Sequence, residues 1–135
     1  MKTILVVEDN AIDAALIRRA FDAVPSCRAI VCRNLGEARA YLLGAGIYED
    51  RVEYPFPNAV ICDFRLGGES GNEFLIWLKS DPRSESLPVV ILSGSVAPKD
   101  LIEAKKSGAV DVLLKPFRFD DLKTLVADVA QKHCC

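Results

Sequence analysis

Short apolar segments alternate with helical patterns along the chain, and this alternation restricts the possible folds more than any other feature. Five segments of four or five residues are almost continuously apolar and rich in β-branched side chains: 3–7, 29–32, 59–63, 89–93 and 110–114. Continuous apolar segments are typical of strands that are covered on both faces, as in a parallel sheet. The pattern therefore predicts five buried parallel strands.

Between these segments, apolar residues recur at the spacing of one helix face. The five stripes are Leu16, Ile17, Ala20, Phe21 and Val24; Leu35, Ala38 and Leu42; Phe74, Leu75 and Leu78; Leu101, Ile102 and Ala104; and Leu122, Leu125, Val126 and Val129. Gly108 is placed to end the fourth helix, and Asp120 and Asp121 suit the first turn of the fifth. Strict alternation of strand and helix predicts a doubly wound α/β fold with right-handed crossovers.

Composition narrows the class of protein. A chain of 135 residues, half of them apolar, is expected to form a single domain (1–135) with a core over about residues 2–131. A net charge of −2 argues against nucleic-acid binding. No apolar run is long enough to span a membrane, and the early carboxylates Glu8 and Asp9 do not fit a signal peptide. These features predict a cytoplasmic protein.

Three further features of the sequence bear on structure and location: a long connection, the cysteines and the end of the chain. Residues 44–58 form a long connection with several aromatic side chains, which either pack against the domain or contact a partner. The five cysteines lack Cys-x-x-Cys spacing, which fits a reducing compartment, and Cys62 is expected to be a packed core thiol. Residues 132–135 are expected to fray; His133, Cys134 and Cys135 supply three ligands and no fourth, so no metal site is expected there.

Polar residues stand where four of the predicted strands end. Glu8 and Asp9 follow the first strand, Asp63 ends the third, Ser93 ends the fourth and Lys115 follows the fifth. In open α/β sheets, ligands bind at these carboxyl ends. Three carboxylates in one crevice repel one another unless a cation joins them, and hard oxygen ligands suit Mg²⁺. With an ammonium and a hydroxyl nearby, the set predicts phosphoryl transfer to a carboxylate.

With these residues in place, the sequence resembles the response-regulator receiver family of two-component signalling over essentially its whole length. The matching segments are Ile-Leu-Val-Val-Glu-Asp-Asn at 4–10, Ala-Val-Ile-Cys-Asp-Phe-Arg-Leu at 59–66, Ser-Gly at 70–71, Pro-Val-Val-Ile-Leu-Ser-Gly at 88–94 and Lys-Pro-Phe at 115–117. The resemblance implies a flavodoxin-like, three-layer α/β/α fold with five helices and strand order 2-1-3-4-5. A narrower likeness is to stand-alone receivers paired with phytochrome-type kinases.

The resemblance also implies roles for individual residues. Asp63 would be the phosphoacceptor. Asp9 would bind Mg²⁺ directly, Glu8 directly or through water, and the backbone carbonyl of Arg65 would complete the protein ligands, which also include Asp63; Mn²⁺ is an alternative ion. Ser93 would contact the phosphoryl oxygen.

Lys115 would pair with the phosphoryl group, and the peptide bond before Pro116 is expected to be cis, as in the family. Two residues depart from the family pattern. Val112 occupies the position of an aromatic switch residue, so the signal is expected to rest on the fourth helix and its preceding loop. Arg65 either affects the lifetime of the acyl phosphate or is simply exposed to solvent.

The leading functional hypothesis is a stand-alone phosphorylation switch, which is not a turnover enzyme. A histidine kinase or a histidine phosphotransfer protein would donate the phosphoryl group, and an unknown downstream protein would bind the fourth and fifth helices. A phosphorelay carrier and a phosphorylation-independent binding module remain open alternatives. Arg65 stands where haloacid-dehalogenase-type hydrolases need an acidic proton donor, which argues against that activity. Val112 and Leu114 share a strand face, and the protein is expected to be a monomer or a homodimer.

Overall fold

The structure is a computed structural model that describes residues 1–94 and 97–134. Its strands are β1 (Lys2–Val7), β2 (Cys27–Cys32), β3 (Ala59–Cys62), β4 (Arg65–Leu66), β5 (Glu69–Ser70), β6 (Val89–Ser93) and β7 (Asp111–Leu114). Its helices are α1 (Ala11–Phe21), α2 (Leu35–Leu43), α3 (Gly71–Ser80), α4 (Pro98–Lys106) and α5 (Phe119–Cys134), with a short 3-10 helix at Gly46–Tyr48. The five long strands lie within two residues of the predicted segments.

Five strands form one parallel sheet in the order β2-β1-β3-β6-β7, while β4 and β5 form a separate antiparallel hairpin. The expected flavodoxin-like order is thereby confirmed, because β6 and β7 are the fourth and fifth strands of the large sheet. The register pairs Val7 with Cys62 at the carboxyl ends of β1 and β3. This pairing places the residues that follow the two strands next to each other.

Apolar layers cover both faces of the sheet, which explains why the strands are continuously apolar. In β1, Leu5 and Val7 belong to the layer that the sheet shares with α2, α3 and α4, whereas Ile4 and Val6 belong to the layer shared with α1 and α5. Successive strand residues point to opposite faces, so both sets must be apolar when both faces are buried. Cys62 is fully buried in the first layer, as expected of a core thiol.

The connection over residues 44–58 packs part of its aromatic surface against the domain. Tyr48 and Tyr54 meet Tyr41 of α2 edge-to-face, with ring centroids 5.0–6.1 Å apart. Arg51 donates to the carbonyls of Leu42 at 2.8 Å and Tyr54 at 3.0 Å, and so ties the loop to the end of α2. The packing interpretation therefore holds for the tyrosines, while the outward-facing side chains of the loop leave partner contact open.

Two sequence expectations about the helices are wrong. Ile102 was expected in the buried stripe of α4 but is 56% exposed, because α4 lies over β7 at the edge of the sheet and has little surface to cover. The segment expected to fray continues α5 as far as Cys134, whose buried side chain joins the apolar layer beneath the helix. Cys135 lies outside the described residues. Among the described helices, none is long and apolar enough to cross a membrane.

Candidate functional site

Three carboxylates meet at the carboxyl ends of the two central strands. Glu8 and Asp9 directly follow β1, and Asp63 directly follows β3. One oxygen from each carboxylate lies within 4.8 Å of the others, a grouping that can hold a metal ion. The structure thus brings together the three acidic residues that the sequence predicts.

Lys115, the residue after β7, extends its side chain into the same place. Its ammonium donates to Oε1 of Glu8, to Oδ2 of Asp63 at 3.1 Å and to Oδ2 of Asp13 at 3.1 Å. Its backbone N–H donates to the carbonyl of Ser93 at 2.8 Å, which joins the ends of β6 and β7. We call Glu8, Asp9, Asp63 and Lys115 the acidic crevice.

Ser93 is the last residue of β6 and is buried between β3 and β7. It therefore stands at the same edge of the sheet as the acidic crevice, as the sequence predicts. Residues 95–96, which stand between β6 and α4 in the sequence, lie outside the described residues. The loop movement expected there stays a prediction.

The backbone around Asp63 is fixed by close packing. The Asp63 amide donates to the carbonyl of Val7 at 3.0 Å, and the Arg65 amide donates to Oδ1 of Asp63 at 3.2 Å. A Cβ atom at Gly71 would lie 2.4 Å from the Asp63 carbonyl oxygen, so only glycine allows the start of α3 to approach so closely. The Gly71 amide then donates to the carbonyl of Phe64 at 2.7 Å.

Arg33 supports the crevice from the neighbouring strand, and the sequence patterns do not predict it. Its guanidinium donates to the carbonyls of Glu8 at 3.1 Å and Asp9 at 2.6 Å. The Asn10 amide donates to Oε2 of Glu8 at 3.1 Å, which orients that carboxylate. Its position in the sequence could have indicated this role, because Arg33 directly follows β2, the strand that pairs with β1.

Burial and crowding set the electrostatics of the crevice. Burial raises the pKa of Glu8 to about 7, and the Asp63 charge acts in the same direction, while Lys115 and the Asn10 amide oppose it. Burial alone would lower the pKa of Lys115, but its contacts with Glu8, Asp63 and Asp13 outweigh this and hold the pKa above its ordinary range. One ammonium does not balance this many carboxylates, so the crevice favours a further cation.

Arg65 turns its side chain away from the crevice. The guanidinium lies 3.7 Å from the carboxylate of Asp100 in α4, with the Arg65 side chain 73% exposed and that of Asp100 14% exposed. The Arg65 side chain thus pairs with Asp100 and does not contact Asp63. The backbone amide of Arg65, in contrast, donates to the Asp63 carboxylate. The role of its backbone carbonyl as a metal ligand stays a prediction.

The expected cis bond before Pro116 is wrong: the Lys115–Pro116 bond is trans. Trans is intrinsically favoured for a bond to proline, by about 0.5–1 kcal/mol. In this isomer Lys115 already makes both its backbone contact with Ser93 and its ammonium contacts with the crevice. All of the Lys115 contacts described above are therefore made with a trans bond before Pro116.

Val112 and Leu114 occupy the same face of β7, as predicted. Val112 is half-buried against the apolar layer beneath α4, whereas Leu114 is exposed at the strand end. Leu113 between them packs on the opposite layer with α5. No aromatic side chain fills position 112, so a rotation of a tyrosine or phenylalanine there is not available to this chain.

A parallel α/β sheet with this acidic crevice defines a class of signalling domain, and comparison with known proteins agrees. The family model described as "Response regulator receiver domain" matches residues 4–127. The chain therefore belongs to the receiver domains of two-component response regulators. This family consists of signalling switches rather than typical enzymes, and its members bind a divalent metal ion and act between a phosphodonor kinase and a downstream effector.

Particular relatives narrow the likeness. A probable methanogenesis regulatory protein, FilR2 of Methanothrix harundinacea, is 34% identical over 128 residues, which cover 95% of this chain and 81% of FilR2. Response regulator Rcp1 of Synechocystis is 30% identical over 95% of this chain and 86% of Rcp1. Its Mn²⁺-bound crystal structure superimposes with a TM-score of 0.84 over 98% of this chain and 94% of that one, at 28% identity.

The phosphorylated form of RcpA, a cyanobacterial phytochrome response regulator, superimposes equally well. Its TM-score is 0.86 at 30% identity, over 98% of this chain and 94% of RcpA. Both structural relatives are matched over nearly their full length. The likeness therefore covers the whole receiver fold and not only the strands that carry the crevice.

Proposed function

We propose that this chain is a phosphorylation switch in which Asp63 accepts a phosphoryl group in a Mg²⁺-dependent reaction. The observation that carries this proposal is the placement of Asp63: it shares a 4.8 Å grouping with Glu8 and Asp9 and lies 3.1 Å from the Lys115 ammonium. A carboxylate nucleophile, two more oxygen ligands and a cation are what phosphoryl transfer to aspartate requires.

The donor set fits a hard divalent cation. Glu8, Asp9 and Asp63 all present carboxylate oxygens, and we propose that they hold the ion together with the backbone carbonyl of Arg65. When bound, the ion supplies charge that offsets the carboxylates and the oxygens of the entering phosphoryl group. Mn²⁺ would bind the same oxygens, and the Mn²⁺-bound structure of Rcp1 supports this alternative.

The chain's own residues would then carry the transfer. An oxygen of Asp63 forms the bond to phosphorus while the phosphorus–nitrogen bond of a donor phosphohistidine breaks, and the imidazole nitrogen keeps the electron pair. Lys115 donates to a phosphoryl oxygen from its place beside Asp63. The hydroxyl of Ser93 donates to another, from the neighbouring strand end.

The donor would be a histidine kinase or a histidine phosphotransfer protein, and the phosphorylated surface would engage a downstream protein. RcpA is described as a phytochrome response regulator, which makes a phytochrome-type kinase the first donor to test. The match to 86% of Rcp1 and 94% of RcpA supports a role like that of these response regulators. A phosphorelay carrier would differ only in returning the group to a phosphotransfer protein.

The test is incubation with Mg²⁺ and phosphoramidate or acetyl phosphate, followed by intact mass. We expect a gain of one phosphoryl group that needs Mg²⁺ and is lost in Asp63→Asn. Asp128→Asn, which changes an exposed carboxylate of α5, is the matched control. Because the pKa of Glu8 is about 7, half-maximal labelling should need more Mg²⁺ at pH 6 than at pH 8.

A folded protein that gains no mass with any donor would contradict the proposal. It would favour the phosphorylation-independent binding module, for which Val112 is the specific observation, since the usual aromatic switch residue is absent. Mass gain that persists in Asp63→Asn would instead reject Asp63 as the acceptor.

A further inference from the structure

Asp13 contacts the Lys115 ammonium but lies outside the group of carboxylates that can hold the metal. Its Oδ2 lies 3.1 Å from Nζ of Lys115, and its side chain is 39% exposed, compared with 11% for Asp63 and 2% for Glu8. The metal-binding group found among the described residues consists of Glu8, Asp9 and Asp63. Asp13 therefore approaches the ammonium from the solvent side of the crevice.

We propose that Asp13 is a positioning residue that holds the Lys115 ammonium beside Asp63 while the other carboxylates bind metal and phosphoryl group. This inference rests on the proposed function of Asp63 as acceptor. It assigns Asp13 a part in the reaction through Lys115, without contact to the phosphoryl group itself.

The number of donors on an ammonium gives the reason. Lys115 has three N–H donors, and in this structure they point to Glu8, Asp63 and Asp13. Glu8 and Asp63 belong to the proposed metal set, so their oxygens would be engaged by the ion and the phosphoryl group and would be less available to Lys115. Asp13 keeps its oxygens and remains the constant partner of the lysine.

The flexibility of lysine makes such a partner useful. Lys115 carries its charge on a four-carbon stem, and holding that stem in one conformation opposes its rotamer entropy. Without Asp13, the ammonium would lose its contact on the solvent side and spend more time away from Asp63. Removal of Asp13 should therefore slow the transfer rather than weaken the metal site alone.

Helix capping places Asp13 where it can reach. Asn10 is the N-cap of α1 and accepts the Asp13 backbone N–H at 2.9 Å. An acidic residue in the first turn also stabilises a helix through its dipole. A purely structural role must therefore be separated from the positioning role, and Asp121 offers the control: it is likewise the third residue of its helix, α5, and it does not contact the Lys115 ammonium.

The first experiment compares rates of Asp63 phosphorylation by acetyl phosphate. We expect Asp13→Ala to be about five-fold slower, within the range of a partly exposed ion pair, and Asp13→Asn to recover part of the rate through its amide oxygen. Asp121→Ala should stay within about two-fold of the wild type. In a Lys115→Ala background, Asp13→Ala should have no further effect, since residues that act through one contact are not additive.

A second readout needs no phosphorylation. A held ammonium exchanges its protons slowly enough to give a nitrogen-correlated NMR signal, so the Lys115 signal should be visible in the wild type and in Asp121→Ala but lost in Asp13→Ala. An unchanged Lys115 signal in Asp13→Ala would overturn the inference, as would an equal loss of rate with and without Lys115. If wild-type protein is not phosphorylated at all, the proposed function fails, and the NMR signal still decides whether Asp13 holds the lysine.

Discussion

Helices α3 and α4 cover the same face of the sheet but are held in different ways. α3 buries five of its ten residues, among them Phe74, Leu75 and Leu78, whereas α4 buries only Ala104 of its nine. Ser70 caps α3 through its side chain, and α4 begins after Ala97 with no such cap. Apolar burial therefore secures α3 far more strongly than α4.

Polar contacts replace apolar burial at α4. Asp100 pairs with Arg65 at 3.7 Å, which joins the helix to the segment after β3 that carries Asp63. Glu103 accepts from Nδ2 of the buried Asn72 at 2.9 Å, which joins the helix to α3. Such polar contacts stabilise a helix less than a packed apolar side chain does, and water can replace them. A shift of α4 therefore costs less free energy than a shift of α3. Because Val112 is not aromatic, we propose that α4 carries the signal in this chain.

The strongest test of this comparison is a matched pair of core substitutions. Phe74→Ala should lower the free energy of unfolding by about 3–5 kcal/mol, since the ring is fully buried and leaves a cavity. Leu101→Ala on the half-buried face of α4 should lower it by about 1 kcal/mol. Urea unfolding followed by circular dichroism measures both. Equal losses would mean that α4 is packed as firmly as α3.

Hydrogen exchange tests the same difference without mutation. Because α4 has one buried residue and no side-chain cap, its amides should open locally and exchange at least about ten-fold faster than those of α3. Peptide-resolved exchange in the unphosphorylated protein measures this, with α5 as a second well-packed helix. Equal protection in α3 and α4 would remove the basis for assigning the signal to α4.

The two helices also show what a sequence pattern can predict. The stripe of Phe74, Leu75 and Leu78 is buried as expected because α3 faces the interior of the sheet. The prediction that Leu101, Ile102 and Ala104 are buried is only partly right. The sequence pattern does not reveal that α4 lies over the edge of the sheet, where one side of the helix has no strand to cover.

The site shows the same division. The strand-end residues of the crevice are predictable because each directly follows a strand, and parallel strands end at one edge. Arg33 and Asp13 are not, because their contacts depend on how α1 and the end of β2 pack beside β1. The β4–β5 hairpin is also missed, since strands of two residues carry no periodicity.

A smaller effect should follow from cutting the tie between α3 and α4. Glu103→Ala removes the acceptor of the Asn72 side-chain N–H. The side-chain oxygen of Asn72, Oδ1, is already buried without a partner among the described residues. We expect a loss of about 1 kcal/mol in unfolding free energy and faster hydrogen exchange in α4. Lys105 is exposed on the same helix, so Lys105→Ala is the control. It should change neither the unfolding free energy nor the exchange rate by a comparable amount.

The smallest expected effect belongs to the tie between Arg65 and Asp100, although it leads most directly to Asp63. Asp100→Asn should change the unfolding free energy by less than about 0.5 kcal/mol, because the pair is partly exposed. It should nevertheless raise exchange in α4, and added salt should shrink the difference from the wild type by screening the pair. Asp128→Asn, which removes an ion pair within α5 alone, is the control.

If Asp100→Asn leaves α4 exchange unchanged while Glu103→Ala accelerates it, then α4 is held by α3 and not by the segment after β3. A signal from Asp63 would then have to pass through Gly71 and Asn72 at the start of α3, because Gly71 is the residue packed directly against the Asp63 backbone. If both substitutions accelerate exchange, the acceptor segment holds α4 directly, and phosphorylation can act on the helix through Arg65 without any aromatic residue at position 112.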